Sequence, residues 1–292
     1  MGVAVSVILP NYNHAAYLPE RLESILNQDF TDFEVILLDD HSSDNSREIL
    51  RKYAEDRRVT HCLENESNSG STFLQWKQGL DKARGEFIWI AESDDAASPH
   101  FLSSLVAKLR DNPEMAVAFS ASDWIDQQGR VIHQTGHESE ALWPAPDLIT
   151  GDFLKGPVIY NASSAVFRRN AVENVDFKEL SKFRYAGDWL FWIQLIRGKT
   201  VYRTAERLNY FRRHEGNVSF SAERGGLQFV EGLKVVFYIF RHYRVPFLKK
   251  RRTLLYWGWR IARSGVPDPG EILSGYPGEL KIYTSLFKLI RR

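Results

Sequence analysis

Apolar and polar positions follow two spacings in the first third of the chain. Residues 3–9 form a continuous apolar run, as in a strand covered on both faces of a parallel sheet, and further strands are predicted over 33–38, 59–63 and 87–91. Between them, apolar side chains recur every three or four residues, which predicts helices over 17–28, 73–83 and 101–109 and another after Asp44. Strand and helix in alternation indicate a mainly parallel sheet with right-handed crossovers.

From residue 115 onward this regular alternation is lost. The pattern predicts strands over 115–124 and 158–167, a hairpin turn at 127–130, a helix over 186–196 and short strands over 199–203 and 208–212. After about Phe220 the chain is predicted to be helical, with breaks at Pro246, Pro267 and Pro269. We therefore expect an α/β domain over 1–220 and a helical extension over 221–292.

The composition narrows the possible classes of protein. A formal net charge of +1 over 292 residues is too small for a general nucleic-acid binder, so no nucleic-acid partner is expected. The single cysteine, Cys62, lies in a strand-like run, which favours a buried inert thiol over a catalytic one and indicates a reducing compartment. The chain shows no run of about 18 apolar residues and no signal-peptide pattern, so we expect a cytoplasmic protein.

Three of the predicted strands end in side chains that can bind a ligand. Pro10 and Tyr12 lie at the end of the first strand, and Asp39 and Asp40 follow the second. Glu92, Asp94 and Asp95 follow the fourth strand, over 87–91. In open α/β sheets, ligands bind beyond the carboxyl ends of the strands. Closely spaced carboxylates there suit a Mg²⁺ or Mn²⁺ ion that neutralises phosphates. The other interpretation of Glu92, Asp94 and Asp95 is an acidic loop that caps the next helix.

Four segments occur in order along the chain: VSVILPNYN from Val5, LESILNQDF from Leu22, EVILLDDHSSD from Glu34 and GEFIWIAESDD from Gly85. Together they resemble family-2 glycosyltransferases with the GT-A fold, the type that builds bacterial surface polysaccharides. The resemblance covers about residues 3–219. It implies an α/β, GT-A nucleotide-diphospho-sugar transferase fold over 1–220, with a nucleotide-binding half at 1–110 and an acceptor half at 111–220.

The resemblance implies a donor site at these strand ends. Pro10 and Tyr12 match positions that hold the nucleotide base, with the Tyr12 ring as a stacking face. Asp40 matches the carboxylate that accepts a hydrogen bond from the ring N–H of uracil or thymine, and Asp39 is its neighbour. The implied donor is therefore a UDP- or dTDP-linked sugar.

The acidic cluster matches the family's Asp-x-Asp motif with one departure. Asp94 and Asp95 match the pair shared between the ribose and a divalent cation, Mn²⁺ or Mg²⁺, and the choice of principal metal ligand stays open. Glu92 stands where many relatives have the first Asp. It stays in the donor site, but its longer reach puts direct contact with the metal in doubt.

A second departure follows the predicted third strand. Asn68 belongs to an Asn-x-Gly element of the implied donor site, but the helix after it is one residue longer than in many relatives. Lys77 stands where those relatives have Asn. Two interpretations remain: Lys77 meets a donor phosphate as a point charge, or it is a solvated helix lysine.

Two later segments supply the remaining candidates. Asp188 begins the predicted helix over 186–196 and matches the acidic residue that serves as the catalytic base, although Asp is also a common helix cap. Arg212 and His214 lie in a segment over 210–219 that resembles the one closing over the donor. Arg212 can clamp phosphate oxygens, and His214 can bind the metal or donate to the pyrophosphate.

The expected activity is therefore inverting, metal-dependent transfer of a sugar to a glycan or lipid-linked glycan. The alternatives are a nucleotide-sugar-binding module without catalysis and a sugar nucleotidyltransferase, which would need a Gly-rich basic loop after the first strand. Segments 241–263 and 282–292 are basic and aromatic. They indicate either peripheral contact with the cytoplasmic face of a membrane or a helical extension packed on the protein.

Overall fold

A computed structural model describes residues 2–136, 139–214 and 226–264, together with 278, 280–282 and 284–285. Ten strands form one sheet: β1 (Val5–Asn11), β2 (Phe33–Asp39), β3 (Val59–Glu64), β4 (Phe87–Ile90), β5 (Ala96–Ala97), β6 (Met115–Ile125), β7 (Val131–Gln134), β8 (Ala141–Pro144), β9 (Ala165–Arg168) and β10 (Thr200–Arg212). The strand order along the sheet is β3-β2-β1-β4-β9-β6-β10-β5, with β7 beside β6 and β8 beside β10.

The helices alternate with the strands in the first third of the chain and stand alone near its end. They are α1 (Leu18–Leu26), α2 (Ser46–Tyr53), α3 (Thr72–Leu80), α4 (Phe101–Asp111), α5 (Ala145–Ile149), α6 (Phe177–Leu180), α7 (Gly187–Leu195), α8 (Leu227–His242) and α9 (Phe247–Arg263). The predicted break at Pro246 is confirmed, because α8 ends before it and α9 begins directly after it. Pro267 and Pro269 lie outside the described residues.

The nucleotide-binding half predicted from the sequence contains a parallel core. β1 pairs in parallel with β2 on one side and β4 on the other, and β2 pairs in parallel with β3. These registers bring the ends of β1 and β2 together, since Asn11 is the partner of Asp39. The candidate residues that follow the two strands therefore lie at one edge of the sheet.

The rest of the sheet is mixed rather than parallel. β9 pairs antiparallel with both β4 and β6, whereas β6 and β10 are parallel. The strand predicted over 158–167 is confirmed only at its end, and the two short strands predicted after residue 199 are one long strand with irregular register, β10. The predicted hairpin turn joins β6 to β7, with Gly129 at a φ of 79°.

Close packing fixes the helices on the parallel core. α1 buries Leu18, Leu22 and Ile25 along one face, as its apolar spacing predicts. α3 approaches β1 so closely that a Cβ on Gly79 would lie 2.3 Å from Ile8 Cγ2. Only glycine fits this contact without displacing β1.

The chain divides into two compact units. The first contains residues Met1–Ala145, Ile159–Lys182 and Gln194–Arg213, and it includes the whole sheet. The second contains Pro146–Val158, Phe183–Ile193 and His214–Arg292. In it α8 contacts the segment before α7 through Glu231, and α9 contacts Leu154 through Trp257. There Trp189 and Trp257 stack, and a Cβ on Gly232 would lie 2.5 Å from the Trp257 ring. The functional boundary predicted at residue 220 stays a prediction.

Across the described part of the chain, each helix is too short or too polar to cross a bilayer.

Candidate functional site

The ends of β1 and β2 place one exposed aromatic ring beside two buried carboxylates. Pro10 is buried in β1, and the Tyr12 side chain just beyond it is 48% exposed. Asn13 and His41, in the two loops that follow these strands, adopt left-handed conformations with φ of 56° and 66°. A ring that is half exposed beyond a strand end is available to stack on a base.

Asp39 is fully buried, and its carboxylate is engaged by neighbouring donors. It accepts hydrogen bonds from the Ser42 backbone and hydroxyl, from Asn11 Nδ2 at 2.9 Å and from Arg47 Nε at 3.0 Å. Burial alone would raise the pKa of Asp39, but these bonds outweigh it and lower the pKa. Asp39 therefore orders the loop after β2, and contact with a base remains a prediction.

Asp40 joins the segment that follows β3 to the end of β2. Its Oδ1 accepts from Asn65 Nδ2 at 2.7 Å and from Gln75 Nε2 at 3.0 Å, and its Oδ2 accepts from the Ser69 hydroxyl at 2.7 Å. The Asn68 side chain donates to the Asp40 carbonyl oxygen and accepts from the Gly70 N–H. Asn68 thus shapes the loop around Asp40, and its contact with the donor stays a prediction.

The acidic cluster after β4 brings together three carboxyl groups, of which Asp94 and Asp95 are buried and Glu92 is half-buried. Burial and the Asp94 carboxylate raise the pKa of Glu92 to about 8, although Trp76 Nε1 donates to it at 2.9 Å. Burial, followed by Asp94, likewise raises the pKa of Asp95 to about 7. Carboxylates whose ionised forms are disfavoured in this way would be stabilised by a nearby cation.

Asp95 and Arg212 hold the cluster to the sheet. Asp95 accepts from Asn161 Nδ2 at 2.7 Å and from the Arg212 backbone N–H at 2.9 Å. The Arg212 guanidinium is buried, donates to the Asp94 carbonyl oxygen at 2.8 Å and pairs with Glu20. These contacts favour a positioning role for Arg212, and its predicted phosphate contact remains untested.

Arg21 supplies a buried positive charge near the cluster. Its guanidinium stacks over Trp89, 4.7 Å from the ring centroid, and none of its three nitrogens forms a hydrogen bond within the described structure. Burial lowers the pKa of Arg21 to about 10, while the attraction of Asp95, Glu92 and Asp94 opposes the shift. Arg21 therefore acts on these carboxylates through space rather than by direct contact.

The first unit offers two ligand atoms suited to a divalent cation. A ring nitrogen of His14 and a carboxylate oxygen of Asp94 lie within 4.8 Å of each other, and His14 Nδ1 is hydrogen-bonded to Ser93 Oγ at 2.8 Å. Imidazole and carboxylate together suit Mn²⁺ better than Ca²⁺. His214 belongs to the second unit, and its predicted role as a ligand stays a prediction.

Lys77 faces a different set of charges. It pairs with Asp81 one helical turn away at 2.6 Å and lines a cleft with Glu86 and Arg168. Glu86 directly precedes β4, whereas Glu92 follows it, so this cleft lies at the opposite end of that strand. This placement favours the solvated helix lysine over a phosphate contact.

Asp188 lies in the second unit, in the first turn of α7. Burial raises the pKa of Asp188 to about 7, hydrogen bonding from backbone N–H groups opposes the shift, and the Glu231 carboxylate adds to it. Glu231, on α8, is buried and accepts from the backbone N–H groups of Arg184, Tyr185 and Ala186 at 2.9, 2.7 and 2.8 Å. The loop that leads into Asp188 is therefore held by one carboxylate.

Several residues of the site were not identified from the sequence. Arg21 interrupts the apolar face of α1 between Leu18 and Ile25, and a charge in that position was a signal available in the sequence. His14, Asn161 and Glu231 left no such signal, because each acts through a contact made only in the folded chain. Asn217 and Ser219, in the segment predicted to close over the donor, lie outside the described residues.

Comparison with known proteins bears on the family and the fold of this chain. The family model described as glycosyl transferase family 2 matches residues 6–175, more than half of the chain. A GalNAc(5)-diNAcBac-PP-undecaprenol beta-1,3-glucosyltransferase of Campylobacter jejuni is 30% identical over 199 residues. That alignment covers 68% of this chain and 61% of the relative, so the chain spans less than two thirds of the length of that protein.

Solved structures share the fold. Staphylococcus aureus TarS, residues 1–349 in complex with UDP-GlcNAc, is similar with a TM-score of 0.67 at 20% identity, over 97% of this chain and 79% of that one. The mannosyltransferase PcManGT of Pyrobaculum calidifontis, in complex with GDP-Man and Mn²⁺, is similar with a TM-score of 0.62 at 17% identity, over 100% of this chain and 81% of that one. The likeness confirms the predicted GT-A fold with a helical C-terminal region.

Proposed function

Because this chain belongs to glycosyl transferase family 2, we propose that it transfers a sugar from a nucleotide-sugar donor to a glycan or lipid-linked glycan acceptor, with inversion at the anomeric carbon. The observation that carries the proposal is the buried acidic cluster after β4, raised in pKa and placed beyond the strand ends. The C. jejuni relative, named for an undecaprenol-linked substrate, supports a lipid-linked acceptor in bacterial surface glycan synthesis.

The donor is proposed to bind across the ends of β1, β2 and β4. Tyr12 stacks on the base beside Pro10, and Asp40 accepts from a ring N–H, which selects a UDP- or dTDP-sugar. Glu92 accepts a hydrogen bond from a ribose hydroxyl when it is ionised. The UDP-GlcNAc complex of TarS supports a uridine nucleotide, although the likeness to TarS itself extends only to the fold.

Asp94 is the proposed principal ligand of a divalent cation, with His14 and His214 as further ligands. Asp95 accepts from Asn161 and Arg212 through both of its oxygens, so it is better placed to hold the loop than to hold the metal. A bound Mn²⁺ or Mg²⁺ would neutralise the charge that develops on the leaving diphosphate. The Mn²⁺ complex of the P. calidifontis mannosyltransferase supports this choice of metal.

Asp188 is the proposed catalytic base. The acceptor oxygen attacks the anomeric carbon, its proton passes to the Asp188 carboxylate, and the bond to the donor phosphate breaks with its electrons going to the nucleoside diphosphate. A base whose pKa is about 7 is well matched to this task near neutral pH, since it is then partly ionised and still able to hold a proton.

The substitution Asp188→Asn tests the proposal. It should lower the rate of sugar transfer by about 100-fold to 10,000-fold, the range that a general base supplies. The rise in Tm caused by UDP-GlcNAc or another bound UDP- or dTDP-sugar should be unchanged, because ligand binding to the folded state is measured without turnover. Transfer at the wild-type rate in this variant would remove Asp188 as the base.

The same measurements distinguish the proposed transferase from a module that binds the donor without catalysis. Such a module would show the ligand-induced rise in Tm but neither transfer to an acceptor nor slow donor hydrolysis, with or without Mn²⁺. The finding of either reaction in the wild-type chain, and its loss in Asp188→Asn, would establish the enzyme.

The proposed place of action is the cytoplasmic face of a membrane. A lipid-linked acceptor is confined to the bilayer, so an enzyme held at its surface meets that acceptor at a higher local concentration. Segments 241–263 and 282–292 are the proposed points of contact, and of the second only Ile282 and residues 284–285 lie within the described structure.

A further inference from the structure

The last long helix, α9, is buried along one face only. Leu254, Trp257 and Ile261 are buried, and Trp257 Nε1 donates to the Leu154 carbonyl oxygen at 2.9 Å within the same compact unit. The aromatic residues of this helix therefore do not all serve packing. One face of α9 packs on the protein, and the opposite face is exposed.

The opposite face carries an apolar stripe. Leu248 is 68% exposed, Leu255 is 37% exposed and Trp259 is 40% exposed. Their spacings of seven and four residues place them on one side of a helix. Leaving three large apolar side chains in water along one line is unfavourable, so the stripe marks a contact surface.

Arginines border this stripe. Arg251, Arg252 and Arg263 are exposed, and the Arg263 guanidinium lies over the Trp259 ring, 5.1 Å from its centroid. Across residues 241–263 there are eight Lys or Arg and no Asp or Glu. The surface thus combines apolar side chains with a positive charge that no carboxylate of the same segment offsets.

We propose that this stripe, formed by Leu248, Leu255 and Trp259 with Arg251, Arg252 and Arg263, lies in the headgroup region of an anionic phospholipid leaflet. The apolar side chains enter the acyl boundary and the arginines meet lipid phosphates. A nucleic acid would match the charge but would offer no apolar medium for Leu248 and Leu255. The inference extends the proposed use of a lipid-linked acceptor, and its test needs no turnover.

The test is binding of the full chain to vesicles. Phosphatidylcholine vesicles and vesicles with about one-third phosphatidylglycerol are compared by cosedimentation. The wild-type protein should bind the anionic vesicles at least ~10-fold more strongly, and about 0.5 M NaCl should weaken that binding. Failure to bind anionic vesicles, or equal binding to both kinds, would overturn the proposal.

Two variants separate the contributions. R251Q/R252Q/R263Q should lose most of the preference for anionic vesicles, because the three arginines that border the stripe are gone while the other five Lys or Arg of 241–263 lie elsewhere on the segment. L248S/L255S/W259S should bind anionic vesicles ~10-fold more weakly. The matched control is V131S/I132S, which removes two exposed apolar side chains from β7, 51% and 57% exposed, and should bind as wild type does. Loss of binding in the control, or wild-type binding in both α9 variants, would contradict the assignment.

A labelled protein keeps the test valid if the triple variants fold poorly. L248C in a C62S background carries an environment-sensitive fluorophore, and I132C in the same background is the reference. The label at residue 248 should shift to shorter wavelength on anionic vesicles, and the label at 132 should not. An unshifted label at 248 on bound protein would overturn the proposed orientation. A chain that binds vesicles but transfers no sugar would refute the proposed function alone.

Discussion

Asp94 has a carbonyl oxygen that helps to fix Arg212 and a carboxylate that lies near a His14 ring nitrogen. Its neighbours Glu92 and Asp95 have raised pKa values because burial and the charge of Asp94 disfavour their ionised forms. At the scale of single residues, the chemistry of the site is thus a concentration of negative charge that is held ready for a cation.

The substitution Asp94→Asn should remove the response to metal. In the wild-type chain Mn²⁺ should raise Tm, because it binds the folded state at this cluster. In the variant this rise should vanish and transfer should fall by about 100-fold or more. Thermal unfolding with EDTA or Mn²⁺ measures the first effect. Asp81→Asn is the control, because Asp81 is an exposed acid directly after α3 that pairs with Lys77, and this variant should keep the full rise in Tm.

The sequence could predict residue types but not always their tasks. The carboxylates of the cluster were located correctly at a strand end, since strand periodicity and chain order place them there. For Lys77, helix periodicity does not say which end of the sheet a side chain reaches. The pairing of Lys77 with Asp81 becomes visible only in the fold. The sequence does not point to His14, because its partner, Ser93, is 79 residues away along the chain.

Among the elements, α1 contributes more than packing. It places Arg21 over Trp89, from where the guanidinium attracts the carboxylates of the cluster. A fixed positive charge in this position does part of what a metal ion would do. It therefore reduces the free energy gained when a cation binds.

The substitution Arg21→Met should reveal this sharing of charge. Without metal, the variant should be at least as stable as wild type, since Met retains the packing on Trp89 and removes a buried charge whose desolvation outweighs its attraction to the carboxylates. The rise in Tm produced by Mn²⁺ should be larger than in wild type, and Arg21→Lys should lie between the two. Equal rises in all three proteins would show that Arg21 does not act on the metal site.

The second element of interest is the loop held by Glu231. The acidic limb of the kcat/KM profile in the wild type should lie near pH 7, with activity rising as Asp188 loses its proton. In Glu231→Gln the limb should move to lower pH, because a neighbouring negative charge that raises the pKa of Asp188 is gone. The kcat should fall ~10–100-fold through loss of loop order.

Glu179→Gln is the matched control for that variant, because Glu179 is an exposed acid on α6 whose partner is Lys182. It should leave both the limb and kcat unchanged. A limb that stays in place in Glu231→Gln would show that the carboxylate of residue 231 acts on the loop alone.

The elements themselves were predictable to different degrees. β1, β2 and β4 follow the apolar spacing closely, because each is buried on both faces. β3 lies at the edge of the sheet and is only partly buried. Beyond residue 115 the boundaries were less accurate. β9 is only four residues long, between two antiparallel neighbours, and β10 continues through irregular register where the sequence indicated two strands. The lengths of β9 and β10 depend on how they pair with their neighbours across the sheet, and local periodicity does not predict that pairing.

For the whole molecule, three carboxylates with raised pKa values set the response of stability to pH. Glu92, Asp95 and Asp188 have pKa values of about 8, 7 and 7, above those of carboxylates in an unfolded chain, near 4. At pH values between the unfolded and the folded pKa, the folded chain holds protons that the unfolded chain has released. Stability without metal should therefore fall as the pH rises from about 5 to 8.

Denaturant unfolding in EDTA at several pH values measures this fall. Added Mn²⁺ should remove the part that comes from Glu92 and Asp95, because a cation replaces the protons there. The part that comes from Asp188 should remain in Mn²⁺ and disappear in Asp188→Asn. Stability that rises with pH over this range, in EDTA, would contradict the assignment of raised pKa values.

The Glu231 carboxylate accepts hydrogen bonds from three consecutive backbone N–H groups, and this limits how far the chain can be shortened from its C-terminal end. A fragment that ends at residue 220 would contain every proposed ligand and the proposed base, yet the backbone before α7 would lose its buried acceptor. Such a fragment should bind a nucleotide sugar and transfer nothing. Efforts to exchange C-terminal segments between related transferases would therefore have to carry an equivalent acid along with the new segment.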